Sequence, residues 1–288
     1  MIREFDVPSP HGGTLHGYDT GEGDHVVVWL HGTPNLGTPP RPLFDAAERL
    51  DIRFVGYDRP GYGGSTPRPG RDVASAADDV AAIADAVGAA RFGVFGHSGG
   101  APHALACAAL LPERVTAVVA GASPAPFGAD GLDWFAGMAP GSANSLRAAA
   151  SGRQAKERHE ASPGDEDFGF IDADRRALEG EWGWFDEVVG PAQAAGPAAL
   201  IDDDLAFVAP WGFDVTDIRV PVLFVHGAED RMVPAAHGAW LASRIPGATW
   251  RSVLGEGHVS VLASTGVPAL EWLADRARRA PEHGSDPS

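Results

Sequence analysis

Short apolar runs of strand length recur along the chain, and they constrain its fold more than any other feature. Runs of this kind, rich in β-branched or aromatic residues, are typical of strands buried on both faces of a parallel sheet. Five of them are nearly unbroken and are bounded by Gly, Pro or Asp: VVVWL (26–30), FVGY (54–57), FGVF (92–95), VTAVVA (115–120) and VPVLFV (220–225).

Segments with helical character lie between these runs. Helices are predicted at four places: 72–87, 98–111, 235–245 and 259–279. The first is rich in Ala, with Asp72 as a candidate N-cap and Gly88 just past its end. Alternating strands and helices predict an α/β fold, with a mostly parallel, doubly wound sheet and right-handed crossovers. Residues 3–7 and 14–19 predict an antiparallel hairpin ahead of this sheet.

One connection is far longer than a single crossover needs. It separates the run that ends at residue 120 from the run that begins at residue 220. We therefore expect residues 123–214 to form an insertion of several helices that caps a core domain made of residues 1–122 and 215–280. Residues 281–288 (PEHGSDPS) are expected to be a disordered tail.

Composition excludes several classes of function. The chain has 39 acidic and 22 basic residues and a formal net charge of −17, which argues against binding to nucleic acid or to anionic membranes. Its one cysteine, Cys107, excludes an internal disulfide and a multi-thiolate metal site, and we expect it to be a buried packing residue. The histidines are scattered without an H-E-x-x-H motif, so neither a metal nor a cofactor is expected.

Localisation follows from the same kind of argument. The first residues lack a basic flank followed by an apolar stretch, which a signal peptide would show. The apolar runs are also much shorter than the roughly 20 residues of a membrane-spanning helix. A cytoplasmic protein is expected, and the sequence leaves its oligomeric state open.

The sharpest chemical motif is Gly96-His97-Ser98-Gly99-Gly100, a G-x-S-x-G pattern between a predicted strand and a predicted helix. A sharp strand-to-helix turn forces such a serine into a strained backbone and exposes its hydroxyl at the sheet edge. Small residues on either side let the neighbouring backbone approach the turn. We interpret Ser98 as a candidate nucleophile; the alternative is a glycine-rich turn in which Ser98 only caps the helix.

With this context, the sequence resembles the α/β-hydrolase family over most of the chain outside residues 123–214. In that family an Asp or Glu and then a His follow the serine in the chain. The turn after the run 220–225 resembles the family's G-x-x-D turn. This resemblance implies that Asp230 is the acid that orients the base, with Glu229 as the alternative. Gly255-Glu256-Gly257-His258, after a predicted strand at 248–254, resembles its G-x-G-H turn and assigns His258 as the general base.

The other histidines have plainer interpretations. We expect His237 and His283 to be surface residues. Packing or local hydrogen bonds are expected of His97, His103 and His226.

Two further loops carry the resemblance. His31-Gly32-Thr33-Pro34 resembles the family's H-G-x-P turn, which implies an oxyanion hole built from the backbone N–H groups of Thr33 and Gly99, with His31 bracing the loop. The alternative is a plain Gly-Pro turn. Residues 58–65 (DRPGYGGS) resemble the family's D-x-x-G-x-G-x-S loop and are interpreted as structural, since the lysine of a phosphate-binding loop is missing.

The substrate pocket is expected between the sheet edge and the insertion. Aromatic residues of the insertion are candidates for its lining, unless they form the insertion's own core: Trp134, Phe135, Trp182, Trp184, Phe185 and Trp211. An acidic stretch begins at Asp165-Glu166-Asp167 and continues through Asp174 to Glu187. It is either a solvated face or an anchor for a cationic substrate.

The expected function is therefore a cofactor-independent serine hydrolase that cleaves an ester or lactone of a small, mostly apolar substrate. The layout is also similar to that of proline iminopeptidases, although the turn His31–Asn35 reads HGTPN and lacks their glycine-rich form. Amide or N-terminal peptide hydrolysis, carbon–carbon bond hydrolysis and cofactor-free peroxidation are the enzymatic alternatives. A ligand-binding receptor of the same fold is the non-enzymatic alternative.

Overall fold

The computed structural model describes residues 2–162, 164 and 166–279, so the predicted tail at 281–288 lies outside the described residues. Within them, eight strands form one sheet in the order β1-β2-β4-β3-β5-β6-β7-β8. Their bounds are β1 (Arg3–Pro8), β2 (Thr14–Asp19), β3 (His25–Leu30), β4 (Ile52–Tyr57), β5 (Phe92–His97), β6 (Val115–Gly121), β7 (Val222–Gly227) and β8 (Thr249–Val253).

The sheet has the predicted direction of strands. β1 and β2 form an antiparallel hairpin, and β2 also lies antiparallel to β4. Every other pairing is parallel, from β4 through to β8. The predicted mostly parallel sheet with a hairpin ahead of it is confirmed.

Helices cover both faces of this sheet. In chain order they are α1 (Phe44–Arg49), α2 (Ala76–Ala86), α3 (Gly100–Leu110), α4 (Pro140–Ala150), α5 (Arg153–Glu160), α6 (Asp172–Glu179), α7 (Phe185–Ala192), α8 (Ala198–Val208), α9 (Ala235–Arg244) and α10 (Ser260–Arg279). Residues of α2, α3 and α9 share one hydrophobic core with Val28, and residues of α1 and α10 share the other with Val27. Successive side chains of a strand point to opposite faces, so this sheet is buried on both sides.

The helix predicted over residues 72–87 begins later than expected, at Ala76. Asp72 does not cap it; its carboxylate instead accepts a hydrogen bond from the Ser75 amide, 2.9 Å away, in a turn ahead of the helix. The amide of Ala74 donates to the carbonyl of Trp211 at 2.8 Å. The contact with Trp211, which is distant in sequence, holds these residues out of the helix.

Five helices, α4 to α8, lie in the segment between β6 and β7, which we call the inserted segment (residues 123–214). One contact of this segment with the sheet is made by Trp184, whose ring centroid lies 6.5 Å from that of Trp29 in β3. In the part of the chain that the structure covers, no helix is long and apolar enough to cross a membrane.

Candidate active site

Ser98 lies on the tight turn between β5 and α3, with a backbone φ of 53°. This left-handed conformation is strained for a residue with a side chain, as the motif predicts. A Cβ on Gly96 would lie 2.5 Å from the carbonyl oxygen of Gly100, and a Cβ on Gly100 would clash with that of Leu30. Both glycines are therefore required by close backbone packing, which holds the Ser98 hydroxyl at the carboxyl edge of the sheet.

The structure brings the three predicted side chains together. Ser98 Oγ lies 2.9 Å from His258 Nε2, and His258 Nδ1 lies 2.8 Å from Asp230 Oδ2. The other oxygen of Asp230 accepts hydrogen bonds from the amides of Met232 and Val233, both at 2.9 Å. The competing acid, Glu229, is exposed, whereas Asp230 is buried against the imidazole.

Electrostatic interactions determine the protonation states of Asp230 and His258. Burial alone would raise the pKa of Asp230, but His258 and His226 hold it well below the ordinary value, so Asp230 is ionised. Burial opposes charge on His258, yet the carboxylates of Asp230 and Asp174 raise the pKa of His258 above its ordinary value of 6.5. Because an ionised carboxylate only accepts, His258 Nδ1 carries the proton and the neutral ring's Nε2 is free to accept one from Ser98.

The two predicted oxyanion donors lie beside Ser98. Thr33 and Gly99 line the same cavity as the Ser98 hydroxyl. Among the described residues, neither backbone N–H donates to an acceptor. Two backbone amides without an acceptor therefore lie beside the Ser98 hydroxyl, where they could bind a negatively charged oxygen.

A buried carboxylate of the inserted segment holds the turn that carries Thr33. Asp203 in α8 accepts hydrogen bonds from Thr33 Oγ1 and Arg59 Nη2, both at 2.6 Å, and forms an ion pair with Arg71 at 2.6 Å. Arg59 also donates to the carbonyl oxygens of His31 and Gly32. Burial would raise the pKa of Asp203, but Arg59 and Arg71 hold it well below the ordinary value. The cluster fixes the turn against α8.

His31 has the bracing position expected of it. Its Nε2 accepts a hydrogen bond from the Arg59 amide at 3.0 Å, and its Nδ1 lies 2.7 Å from the Gly32 carbonyl oxygen. Burial, together with the Arg59 charge, holds the pKa of His31 well below 6.5. The ring is therefore neutral and ties the turn to the loop after β4.

A second carboxylate of the inserted segment holds the loop that carries His258. Asp174 in α6 is fully buried, and its Oδ1 accepts hydrogen bonds from the amides of Val259 and Ser260, both at 2.8 Å. It thus caps the first turn of α10, directly after His258. A Cβ on Gly257 would clash with this carboxylate, which explains the glycine before His258.

A cavity of about 660 Å³ opens above Ser98. Of the six predicted aromatic candidates, Trp134 and Phe185 line it, whereas Trp182, Trp184 and Trp211 belong to the hydrophobic cores and Phe135 is absent from the lining. Three further aromatic residues line it: Phe168, Phe170 and Phe207. The pattern of aromatic residues could not separate the two groups, because which ring packs in a core depends on distant contacts: Trp184 packs on Trp29, and Trp182 packs on Trp184.

The acidic stretch divides between several environments. Most of its members are exposed, Asp174 is buried, and Asp165 lies outside the described residues. Four carboxylates of the inserted segment line the cavity: Glu160, Glu166, Asp186 and Asp204. The buried Lys156 ammonium pairs with Glu160 at 2.5 Å and with Asp204 at 2.6 Å, which offsets part of their charge.

The prediction that His237 is a surface residue is wrong. It is buried; its Nδ1 accepts from the Ala125 amide at 3.1 Å and its Nε2 donates to the Trp134 carbonyl at 2.9 Å. His283 lies outside the described residues. The free Cys107 is buried, as predicted. In the described ranges, no group of three or more His, Cys, Asp or Glu residues is placed to hold a metal ion.

Comparison with known proteins agrees with this geometry. The sequence model of the alpha/beta hydrolase fold matches residues 25–264, which is most of the chain. The chain belongs to this family. A pimeloyl-[acyl-carrier protein] methyl ester esterase from Aromatoleum aromaticum is 36% identical over 72 residues, which span 25% of this chain and 26% of that relative.

Crystal structures of two family members resemble the chain over nearly its whole length. An esterase from a Rhodococcus species has a TM-score of 0.69 and 22% identity, covering 95% of this chain and 98% of its own. An enol-lactonase from Burkholderia xenovorans has a TM-score of 0.69 and 19% identity. The alignment covers 96% of this chain and 100% of the enol-lactonase. At these identities the likeness shows a shared fold.

Proposed function

We propose that the protein is a serine hydrolase that cleaves esters or lactones of small, mostly apolar acids. The observation that carries this proposal is the continuous hydrogen-bonded chain from Ser98 through His258 to Asp230. Ser98 lies at one end of this hydrogen-bonded chain and faces a cavity. The backbone amides of Thr33 and Gly99, which line the same cavity, have no acceptor among the described residues. In this proposal residues 123–214 act as a cap that supplies much of the cavity wall.

The geometry supports a two-step mechanism. His258 Nε2 takes the proton from Ser98 Oγ as the hydroxyl attacks the carbonyl carbon, and Asp230 stabilises the imidazolium that forms. The amides of Thr33 and Gly99 donate to the oxyanion of the tetrahedral intermediate. His258 then gives its proton to the departing alcohol. Water, activated by the same imidazole, hydrolyses the acyl-enzyme and regenerates Ser98.

The character of the cavity supports the substrate class. Its apolar lining near Ser98 includes Trp134, Phe185 and Phe207, which favour an aliphatic or aromatic acyl or alkoxy group over a charged one. The relatives named as an esterase, a methyl ester esterase and an enol-lactonase agree with oxygen esters. The proposed substrates are therefore uncharged esters and lactones of limited size.

The carboxylates on the cavity wall support a second candidate, hydrolysis next to a free amino terminus. Glu166 bonds the Asn144 amide, and Asp186 is exposed, so neither is neutralised by a neighbouring cation among the described residues. Such groups attract an ammonium group at the far end of a substrate. Glu160 and Asp204 do so less, since Lys156 already pairs with both.

A substrate panel tests this proposal. Purified protein is assayed with p-nitrophenyl esters of increasing acyl length, with lactones and with aminoacyl p-nitroanilides, each beside Ser98→Ala and His258→Ala. We expect turnover of short esters or lactones that both substitutions abolish. Preferential cleavage of the anilides would favour the second candidate, and equal rates in wild type and Ser98→Ala would contradict a serine mechanism.

A further inference from the structure

Asn35 directly follows the turn that carries Thr33, and its environment is unusual for an amide. The residue is 5% exposed and lines the cavity above Ser98. Among the described residues, its side chain makes no hydrogen bond, and its amide atoms are not fully buried, so they reach the cavity. Water or a ligand in the cavity is therefore left to hydrogen-bond this amide.

The position of this amide identifies what it faces. A Cβ built on Gly32 would lie 3.1 Å from Asn35 Nδ2 and 3.5 Å from Ser98 Cβ. Both side chains border this one position, so the Asn35 amide lies close to Ser98.

The backbone on either side of Asn35 is firmly held. The amide of Leu36 donates to the carbonyl of Val188 at 3.0 Å, and the amide of Gly37 donates to Asp58 Oδ1 at 2.7 Å. These bonds fix the chain without help from the Asn35 side chain. A structural asparagine would bond to a backbone group of its own turn, and this one does not.

We propose that Asn35 is a further catalytic residue, whose Nδ2 donates a hydrogen bond to an oxygen of the scissile acyl group. It would act beside the amides of Thr33 and Gly99 on the oxygen that gains negative charge. The inference rests on the proposed function, since it requires an acyl group on Ser98. It also narrows the substrate class to compounds with an oxygen at the reacting carbon that this amide can reach.

Three substitutions at one position test the inference. Asn35→Ala removes the donor, Asn35→Leu fills the same space with apolar atoms, and Asn35→Asp keeps the shape but replaces the donor by a carboxylate. Asn144→Ala is the matched control, because Asn144 is the other asparagine of the chain and lies exposed on α4. Steady-state kinetics with the best ester and the melting temperature are measured for each variant.

We expect kcat to fall about 10- to 100-fold in Asn35→Ala and Asn35→Leu, with KM little changed, because the lost bond forms mainly in the transition state. The kcat of Asn35→Asp should be lower still at pH 8, since a carboxylate repels the oxyanion. Melting temperatures should stay near or above that of wild type, because the removed amide has no partner in the protein.

Two outcomes would overturn the inference and are distinguishable. If wild type turns over esters and the kcat of all three Asn35 variants lies within twofold of the wild-type value, the role of Asn35 is contradicted. The proposed function would then still stand. A wild-type protein that neither turns over esters nor is labelled at Ser98 would contradict the proposed function, and the role of Asn35 with it.

Discussion

Asp203 accepts a 2.6 Å hydrogen bond from the hydroxyl of Thr33, a residue 170 positions earlier in the chain. The bond joins helix α8 of the inserted segment to the turn that presents a proposed oxyanion donor. Because Asp203 also pairs with Arg59 and Arg71, the inserted segment does more than cover the cavity. It also holds the turn that carries Thr33 in place.

Replacing Asp203 should therefore affect both stability and turnover. Asp203→Asn keeps the shape but leaves two buried guanidinium groups without a counter-charge, which we expect to lower the free energy of unfolding by about 3–5 kcal/mol. Urea denaturation measures this. Asp172→Asn is the control, since its ion pair with Arg175 is exposed and should change stability by less than about 1 kcal/mol. Equal effects of the two substitutions would contradict a structural role for the Asp203 cluster.

Asp230 and, to a smaller extent, Asp174 should raise the pH at which the reaction loses activity in acid, through their effect on His258. The groups that face this imidazole are Asp230, Asp174, His97 and the Ser98 hydroxyl. The reaction needs neutral His258, whose pKa is raised, so kcat/KM should fall in acid with a midpoint above pH 6.5.

Asp174→Asn removes one of the two carboxylates that raise the pKa of His258 and keeps an oxygen for the amides of Val259 and Ser260. The acid limb of the kcat/KM profile should then move to lower pH, and stability should fall, because the new amide NH2 faces the Ile171 N–H, from which Asp174 Oδ2 accepts a hydrogen bond at 3.1 Å. Asp172→Asn, on the exposed side of the same helix, should leave the profile in place. An acid limb that does not move in Asp174→Asn would show that Asp174 has no electrostatic influence on His258.

Asp230 and its neighbour Glu229 offer a matched pair of substitutions. Asp230→Asn should lower kcat by about 10⁴-fold, because the amide favours the tautomer in which His258 Nε2 carries the proton. Glu229→Gln should remain near wild type, since its side chain is exposed. If the two variants lose activity equally in a steady-state ester assay, the orienting role does not belong to Asp230.

The sheet and the three central side chains could be predicted from the sequence because their signals are local. Ser98 and Asp230 follow strand-length apolar runs and His258 follows the more polar predicted strand at 248–254, each in a short turn with small residues. Parallel strands end at the same sheet edge, so the turns that follow them meet. The roles of Asp230 and His258 are assigned through the resemblance of these turns to those of the α/β-hydrolase family.

The contacts that support these side chains could not be predicted, because they join distant parts of the chain. Asp174 looked like one member of an acidic stretch, and only its contact with Val259, 85 positions away, distinguishes it from its exposed neighbours. Residues Ala74 and Trp211 likewise shift the start of α2. The absence of a partner for Asn35 is visible only once every neighbour is placed.

Four buried neutral histidines, His31, His97, His103 and His237, should make the fold sensitive to acid. Burial lowers the pKa of His97 and His103 to about 3 and that of His237 to about 4. Below pH 6.5 the unfolded chain binds protons that the folded protein refuses, so stability falls as the pH falls. Each contributes up to about 1.4 kcal/mol per pH unit. His258, whose pKa is raised, has the opposite sign and offsets part of the loss.

Urea denaturation between pH 8 and pH 5 measures this dependence. The free energy of unfolding should decline progressively below about pH 6.5, and His103→Gln should reduce the slope by about one proton. A free energy that is the same at pH 7.5 and pH 5 would show that these histidines are not held neutral in the folded state.

The most direct test of a nucleophilic Ser98 is the intact mass of the protein after reaction with a fluorophosphonate. Such a reagent transfers one phosphonyl group to a serine that a neighbouring base has activated. We predict a single adduct on wild type, located at Ser98, and none on Ser98→Ala under the same conditions. An unmodified wild-type protein, or an adduct that persists in Ser98→Ala, would contradict the account.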